Sequence, residues 1–332
     1  MSFGWGLVGP GRIAHKFADA LRGVPGARLA AVQGRDLPRA QAFAGRWGAA
    51  SATADLAAML ADPAVHGVYI ATPHAFHAAA IRACLLAGKP VLCEKPLVTD
   101  AATAGELIRL AQQQRVFLME AVWTRLLPVY TQVAQWLPTI GRVTALQSSM
   151  CFAIDFDADS RVFDPAQAGG ALFDLGIYNL TMTRWILSKA CGECPPLQGL
   201  HACARMAPTG VDRHLAASLD FGNGLASQFV CGFDGSADNS LRVHGEHGSI
   251  EVRAPFWAAM DALLIQPDAA TVQTSAAHAV NGFEYEIAEA QACIGAGLLQ
   301  SPAVTHADTL ATAEWMDRIR AQIGLRYPFD PV

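Results

Sequence analysis

Three residues of this chain could together take a proton from a hydroxyl: Lys95, in the tripeptide Glu94-Lys95-Pro96, and the pair Asp174 and Tyr178. The tripeptide ends the apolar run Pro90-Val91-Leu92-Cys93, which reads as a parallel strand that the proline then stops. An ammonium at the carboxyl end of such a strand faces the crevice in which doubly wound sheets bind ligands. Asp174 and Tyr178 stand four residues apart near the start of an apolar helix, a spacing that puts a carboxylate and a phenol on one face, expected across the cleft from Lys95. A phenol with its ordinary pKa of about 10 is a poor base at neutral pH, and a nearby ammonium moves it towards the working range. Each part also has a bland reading: a solvated lysine in a turn, an acid and a tyrosine that cap and pack a helix. The elements around them decide.

The apolar stretch Phe3–Val8 reads as a strand, and Gly9-Pro10-Gly11-Arg12-Ile13-Ala14 turns it into a helix with Ile13, Phe17 and Leu21 on its apolar face. Gly9-x-Gly11-x-x-Ala14 has the spacing of a dinucleotide fingerprint. Gly9 serves the tight turn, Gly11 the approach of a pyrophosphate to the backbone, and Ala14 close helix packing. Gly9, Gly11, Arg12 and Ile13 are therefore expected to bind the cofactor. Roughly twenty residues on, where an NAD site carries an acid for the ribose hydroxyls, the chain has Val32-Gln33-Gly34-Arg35. A guanidinium at Arg35 suits the 2′-phosphate of NADP, with Gly34 leaving room for it and Arg39 as a second contact, so NADP is expected over NAD. Asp36 reads as a helix cap. Thr72 follows the next strand and is expected to support the cofactor. His77, Glu94 and Lys95 are expected to contact the cofactor at the same crevice, although a histidine early in a helix is more often structural than catalytic.

Strands at 29–32, 68–71, 90–93 and 116–119 alternate with helices at 75–87 and 101–114 and others opening near Pro38 and Asp55, a rhythm that implies a parallel sheet. After about Val122 the rhythm changes. Helices are expected over 127–137 and 170–187, a strand over 143–152, then strands over 214–221, 225–233, 240–245 and 249–253 with hairpin turns between them, and closing helices over 283–298 and 308–323. The expected class is α/β. A doubly wound, Rossmann-type parallel sheet occupies 1–122, and an α+β domain with an open, mostly antiparallel sheet occupies 123–332, leaving one broad sheet face for self-association.

Bulk composition narrows the function classes. Of 332 residues, 52% are hydrophobic and only 16% charged, which excludes a disordered chain, and a net charge of -5 with dispersed Lys and Arg argues against a groove for nucleic acid. Charged residues, Gly and Pro interrupt every apolar stretch well short of the roughly 20 residues that span a bilayer, and no export signal is visible, so a cytoplasmic protein is expected. The eight cysteines read as reduced thiols. Cys191 and Cys194 have the spacing of a zinc pair, but His201 and Cys203 beyond them do not complete a common site, so no metal is expected. No phosphate loop of the Gly-x-x-x-x-Gly-Lys type and no Gly-x-Ser-x-Gly elbow is present.

Together, Gly9-x-Gly11-x-x-Ala14, Glu94-Lys95-Pro96 and the stretch from Gly169-Gly170 to Asp174 resemble the glucose-fructose oxidoreductase, inositol dehydrogenase and MocA family. More narrowly, Met119 through Arg125, Asp174 through Tyr178, and Ile323-Gly324-Leu325 resemble its branch of dihydrodiol and NADP-linked D-xylose dehydrogenases. Tyr178 stands where many relatives carry histidine, which favours this branch over inositol dehydrogenases. The resemblance implies NADP as hydride carrier, a homodimer formed through the C-terminal sheet, and oxidation of a hydroxyl on a sugar, polyol or cyclic diol. Lys95, Asp174 and Tyr178 would do the chemistry, and Trp123, Arg125 and Phe152 would wall the substrate pocket. Dehydrogenation of another sugar or an inositol, and a regulator that binds a dinucleotide without turning it over, stay open. A regulator needs the glycine turn and Arg35 but not the proton-transfer set.

Overall fold

The computed structural model describes residues 2–330. The chain divides into two compact units, one running through Trp123 and including Ala279–Leu310, the other comprising Thr124–His278 and the residues from Ala311 onward.

In the first unit the strands are β1 (Phe3–Val8), β2 (Ala27–Gln33), β3 (Ser51–Thr53), β4 (Gly67–Ile70), β5 (Val91–Glu94) and β6 (Leu118–Ala121). They alternate with helices α1 (Arg12–Ala20), α2 (Leu37–Trp47), α3 (Leu56–Ala61), α4 (His77–Leu86) and α5 (Ala101–Gln114). The sheet runs β3-β2-β1-β4-β5-β6 with every pairing parallel, so the strand order reverses beside β1. Strands covered by helices on both faces must be apolar throughout, and β4 and β5 are buried along their whole length. Asp36, Asp55 and Asp100 cap α2, α3 and α5 with their side chains, as such residues do at helix starts. Two expectations shift. The strand expected at 116–119 lies at Leu118–Ala121, because Glu120 sits inside it, its carboxylate accepting from Leu97 N and Thr309 Oγ1. The short β3 is an addition, made of three small residues with no readable alternation.

Helix α8 (Phe283–Gly295) returns to this unit. The indole Nε1 of the fully buried Trp5 donates to Gln291 Oε1 at 2.9 Å, Asn281 Nδ2 donates to Lys16 O at 3.0 Å, and Leu118 N donates to Leu299 O at 3.1 Å. A single linear cut after residue 122 takes no account of this return.

The second unit holds α6 (Pro128–Trp136), β7 (Val143–Cys151), α7 (Ile177–Cys191) and strands β8 (Gly199–Met206), β9 (Asp212–Asp220), β10 (Ala226–Gly232), β11 (Leu241–Gly245), β12 (Gly248–Val252), β13 (Asp261–Ile265) and β14 (Val272–Ser275). Helix α9 (His306–Ile323) closes the chain. The sheet order is β14-β13-β12-β11-β7-β10-β9-β8, antiparallel except between β7 and β10. Consecutive β10 and β11 are therefore not the hairpin their turn residues suggested: β7 lies between them. One sheet face packs under α7, where Gly176 stands so close to β10 that a side chain there would press on Cys231 Sγ at 3.1 Å. The other face forms a trough of about 550 Å³ lined by polar residues such as Gln147, His201, Gln228 and Arg242. No helix among the described residues is long and apolar enough to cross a membrane.

Replacing Trp5 with Ala is expected to cost about 3–5 kcal/mol in denaturant melts, as truncation of a buried aromatic does. Gln291→Ala should cost about 1–3 kcal/mol, since it strands the buried indole N–H.

Candidate active site

The cofactor-side residues gather at the carboxyl edge of the parallel sheet, beside the reversal of strand order, where doubly wound folds bind nucleotides. Gly9 has φ +89°, and a Cβ there would lie 2.9 Å from Thr72 N, so the ends of β1 and β4 meet backbone to backbone. Gly11 caps α1 without a side-chain hydrogen bond, and its Cβ would meet no neighbouring atom closer than 3.9 Å. The first turn of α1, with Arg12 and Ile13, thus offers free backbone N–H groups beside open space. Ala14 is fully buried beneath it. Thr72 Oγ1 is buried with no hydrogen-bond partner, an orphan that a bound group would satisfy. These features fit a dinucleotide phosphate bridge.

Arg35 is exposed, with its guanidinium 5.3 Å from the Phe76 ring centroid. On the side where Gly34 would carry a Cβ stands Pro10, whose ring carbon Cδ would lie 2.9 Å away, so a side chain there would press on the glycine turn. His77 does not face the crevice: it is fully buried, with Nδ1 2.9 Å from Pro96 O and Nε2 2.8 Å from Thr72 O. Burial pushes its pKa below the usual value despite the pull of those carbonyls. A neutral ring has one N–H, which ties the loop after β4 or the one after β5, and in either case the residue positions backbone.

At the end of β5, Glu94 and Lys95 are both buried, Lys95 being 8% exposed. Tyr69 donates its hydroxyl to Glu94 Oε1, and Lys95 N donates to Glu94 Oε2 at 3.3 Å. The loop beyond is pinned by Leu97 N on Glu120 Oε1 at 2.9 Å and by Pro96 O on His77. Glu286, on the first turn of α8, escaped the sequence reading. It is fully buried, both carboxyl oxygens lack a partner, and burial first and the charge of Glu94 second hold its pKa well above the carboxylate range. Trp123 stacks against Phe283, ring centroids 5.0 Å apart, with the Lys16 ammonium 6.0 Å from each.

In the second unit the expected continuous helix over 170–187 opens as a π turn, Leu172–Gly176, before α7 begins. Such wide turns are frequent at functional sites. Asp174 sits in it and Tyr178, 7% exposed, follows in α7, so the two occupy turns of different width and not one uniform helical face. The Asp174 carboxylate is held by Arg161, whose Nη2 lies 3.0 and 2.9 Å from its two oxygens. Arg125 is buried and donates from Nη2 to Thr181 O at 3.0 Å, so its guanidinium braces α7. Phe152 packs edge to face with Trp257 at 5.4 Å, an aromatic pair of which only one member was anticipated. Cys191 ends α7, and no group of three or more His, Cys, Asp or Glu among the described residues is placed to hold a metal.

The model of the family described as "Oxidoreductase family, NAD-binding Rossmann fold" matches residues 3–122, and that of the GFO/IDH/MocA C-terminal domain matches 136–251. The chain is 34% identical to the trans-1,2-dihydrobenzene-1,2-diol dehydrogenase of Mus musculus and 32% identical to that of Sus scrofa, in each case over 99% of both chains. Among solved structures it is similar to a 3-ketoreductase from Actinomadura kijaniata in complex with NADP and TDP-benzene, at 25% identity and a TM-score of 0.84, covering 97% of this chain and 98% of that one.

Glu286 makes stability depend on pH in a definite direction. Its pKa is raised in the folded state, so the stability it confers is complete below the ordinary carboxylate pKa and is lost as pH rises through the folded value. Glu286→Gln should therefore gain stability over the parent as pH goes from about 5 to about 8, read by urea melts at each pH.

Proposed function

The chain belongs to the glucose-fructose oxidoreductase, inositol dehydrogenase and MocA family, and from this premise we propose that it is an NADP-dependent dehydrogenase that oxidises a hydroxyl of a sugar, polyol or cyclic diol. The observation that carries the reading is a buried lysine at the end of β5, on the same sheet edge as the glycine turn at Gly9 and Gly11. Gly9, Gly11, Arg12, Ile13 and Thr72 would hold the dinucleotide, and Arg35 would meet the 2′-phosphate through charge-assisted hydrogen bonds. NADP supplies the hydride-accepting nicotinamide when bound.

The protein's own part is the proton and the orientation. Tyr178, as the phenolate that the Lys95 ammonium would favour, takes the hydroxyl proton at Oη and becomes the neutral phenol, while Lys95 holds the reacting hydroxyl. As the C–H pair leaves as hydride, the hydroxyl becomes a carbonyl. Asp174, its charge matched by Arg161, orients the set without a full negative charge of its own to spare. The half-buried pair Phe152 with Trp257 offers flat apolar faces to a ring-shaped substrate, while Trp123 is packed on the buried Phe283. Two dehydrogenases that act on a cyclic diol lie at 32% and 34% identity over nearly the whole chain, which supports that substrate class.

We further assign the protein to the cytoplasm as a homodimer. All eight cysteines are free, which suits a reducing compartment. The polar trough on the open face of the eight-stranded sheet is the surface for a second copy, and sedimentation should give twice 35.2 kDa.

A panel of sugars, polyols and cyclic diols, followed by the absorbance of reduced nicotinamide with NADP and NAD in parallel, tests the assignment. Lys95→Met and Tyr178→Phe should each lower turnover by about 10²–10⁴ while NADP still binds. Arg35→Ala should weaken NADP about ten- to a hundredfold and leave NAD unchanged. Activity with NAD alone would sink the Arg35 assignment, and undiminished turnover in both other variants would sink the mechanism.

A further inference from the structure

Asp212, the first residue of β9, is fully buried. Its Oδ2 accepts from Leu172 N at 2.6 Å, and its Oδ1 has no hydrogen-bond partner. Leu172 opens the π turn that carries Asp174. The chain is shaped around this carboxyl: Gly170 has φ +118°, and a Cβ there would collide with Asp212 Oδ1. At Gly169 a Cβ would lie 2.7 Å from Arg161 O, so the Gly169-Gly170 pair is a socket closed by loop backbone on one side and by the carboxyl on the other. Tyr327 Oη donates to Gly169 O at 2.6 Å and secures the socket from the C-terminal segment.

The charged and titratable groups facing Asp212 are Arg320 from α9, Tyr327 from the segment beyond it and Cys231 from β10. Arg320 is already engaged by Asp317 and Asp330, so it does not neutralise Asp212 outright. Burial pushes the carboxyl up to about 7, against the pull of the Leu172 and Ala171 amides and of Arg320. Oδ2 is satisfied by Leu172 N, whereas Oδ1 meets neither a donor nor an acceptor within hydrogen-bond geometry.

We propose that Asp212 is a positioning residue for the reaction: its carboxyl anchors the first turn of the helix from within, as Arg161 holds Asp174 from the other side, and so fixes where Asp174 and Tyr178 stand. The inference rests on Tyr178 as the proton acceptor. Asn at this position keeps an acceptor for Leu172 N and cannot ionise, whereas Leu keeps neither the acceptor nor the charge.

Steady-state kinetics of the full-length variants test it, using whichever substrate of the panel the parent oxidises, with NADP affinity and circular dichroism measured alongside. Asp212→Leu should lower kcat by at least about tenfold with NADP affinity within about twofold, the signature of a lost transition-state alignment. Asp212→Asn, which keeps the acceptor for Leu172 N, should hold kcat within about threefold of the parent, and any inflection of the parent's kcat near neutral pH should be absent from it. Parent-like kcat in Asp212→Leu alongside an inactive Tyr178→Phe overturns the positioning role. Parent-like kcat in Tyr178→Phe as well shows that the proton-acceptor assignment has failed instead. Should Asp212→Leu not fold, the smaller Asp212→Ala, which also removes the acceptor for Leu172 N, is read by the same criteria: lowered kcat with NADP affinity kept supports the proposal, and parent-like kcat overturns it.

Discussion

The strand that ends in Lys95 is buried on both faces, so every charge at its carboxyl end needs a partner supplied from inside the protein. Stranding one such charge would cost several kcal/mol, comparable to the whole stability of a domain. Glu94 is met by the hydroxyl of Tyr69, which is itself stacked on Phe17 with ring centroids 3.8 Å apart. His77 and Glu120 hold the backbone just beyond, and Glu120 in turn is held by Thr309. The return of 279–310 to this unit follows from the same need, since it brings Thr309 to Glu120 and covers Trp5. The fixed backbone around Lys95 is thus the outcome of a buried network and not of the tripeptide alone.

The second unit solves a related problem by different means. There the reactive candidates ride on a helix, and a helix start has unpaired N–H groups that need acceptors. No side chain of the first turn caps it. Asp212, from a strand of the underlying sheet, supplies the acceptor, and the two glycines let it come close. Gly176 lets the same helix sink onto β10 against Cys231, so the wide turn, the glycines and the buried acid form one packing solution. The Gly169-Gly170 signature is then explained by steric room for a carboxyl and for neighbouring carbonyls, independent of any ligand.

What was legible in the sequence follows the range of the interaction. The Gly9 turn, the caps at Asp36 and Asp100, and the strand that stops at Pro96 depend on residues within a few positions of each other, and each stands where local chemistry put it. Strand order does not work that way. That β7 lies between β10 and β11 is decided by packing under α7 and leaves no trace in the alternation of either strand. The supporting acids were equally hidden: Glu286 lies far along the chain from Glu94, and Asp212 is forty residues from the amide it caps. His77 misled for the opposite reason. Its place just after a sheet-edge loop is local and was read correctly, but whether its ring faces the crevice or the core is a tertiary choice.

The same distinction bears on specificity. The residues proposed to present chemistry, Lys95 and Tyr178, are nearly but not fully buried, while those packed behind them in their own units, Tyr69, His77, Glu286 and Asp212, are sealed. A sealed group cannot select a substrate, because it never meets one. In the proposed reading, choice among ring-shaped alcohols therefore falls to the half-buried pair Phe152 and Trp257, and apolar contact discriminates weakly, by about 1–3 kcal/mol for each methylene gained or lost. Under that reading, a ring-shaped substrate would be accepted by shape, with the strict requirement placed on the geometry of the reacting carbon and not on the remainder of the ring.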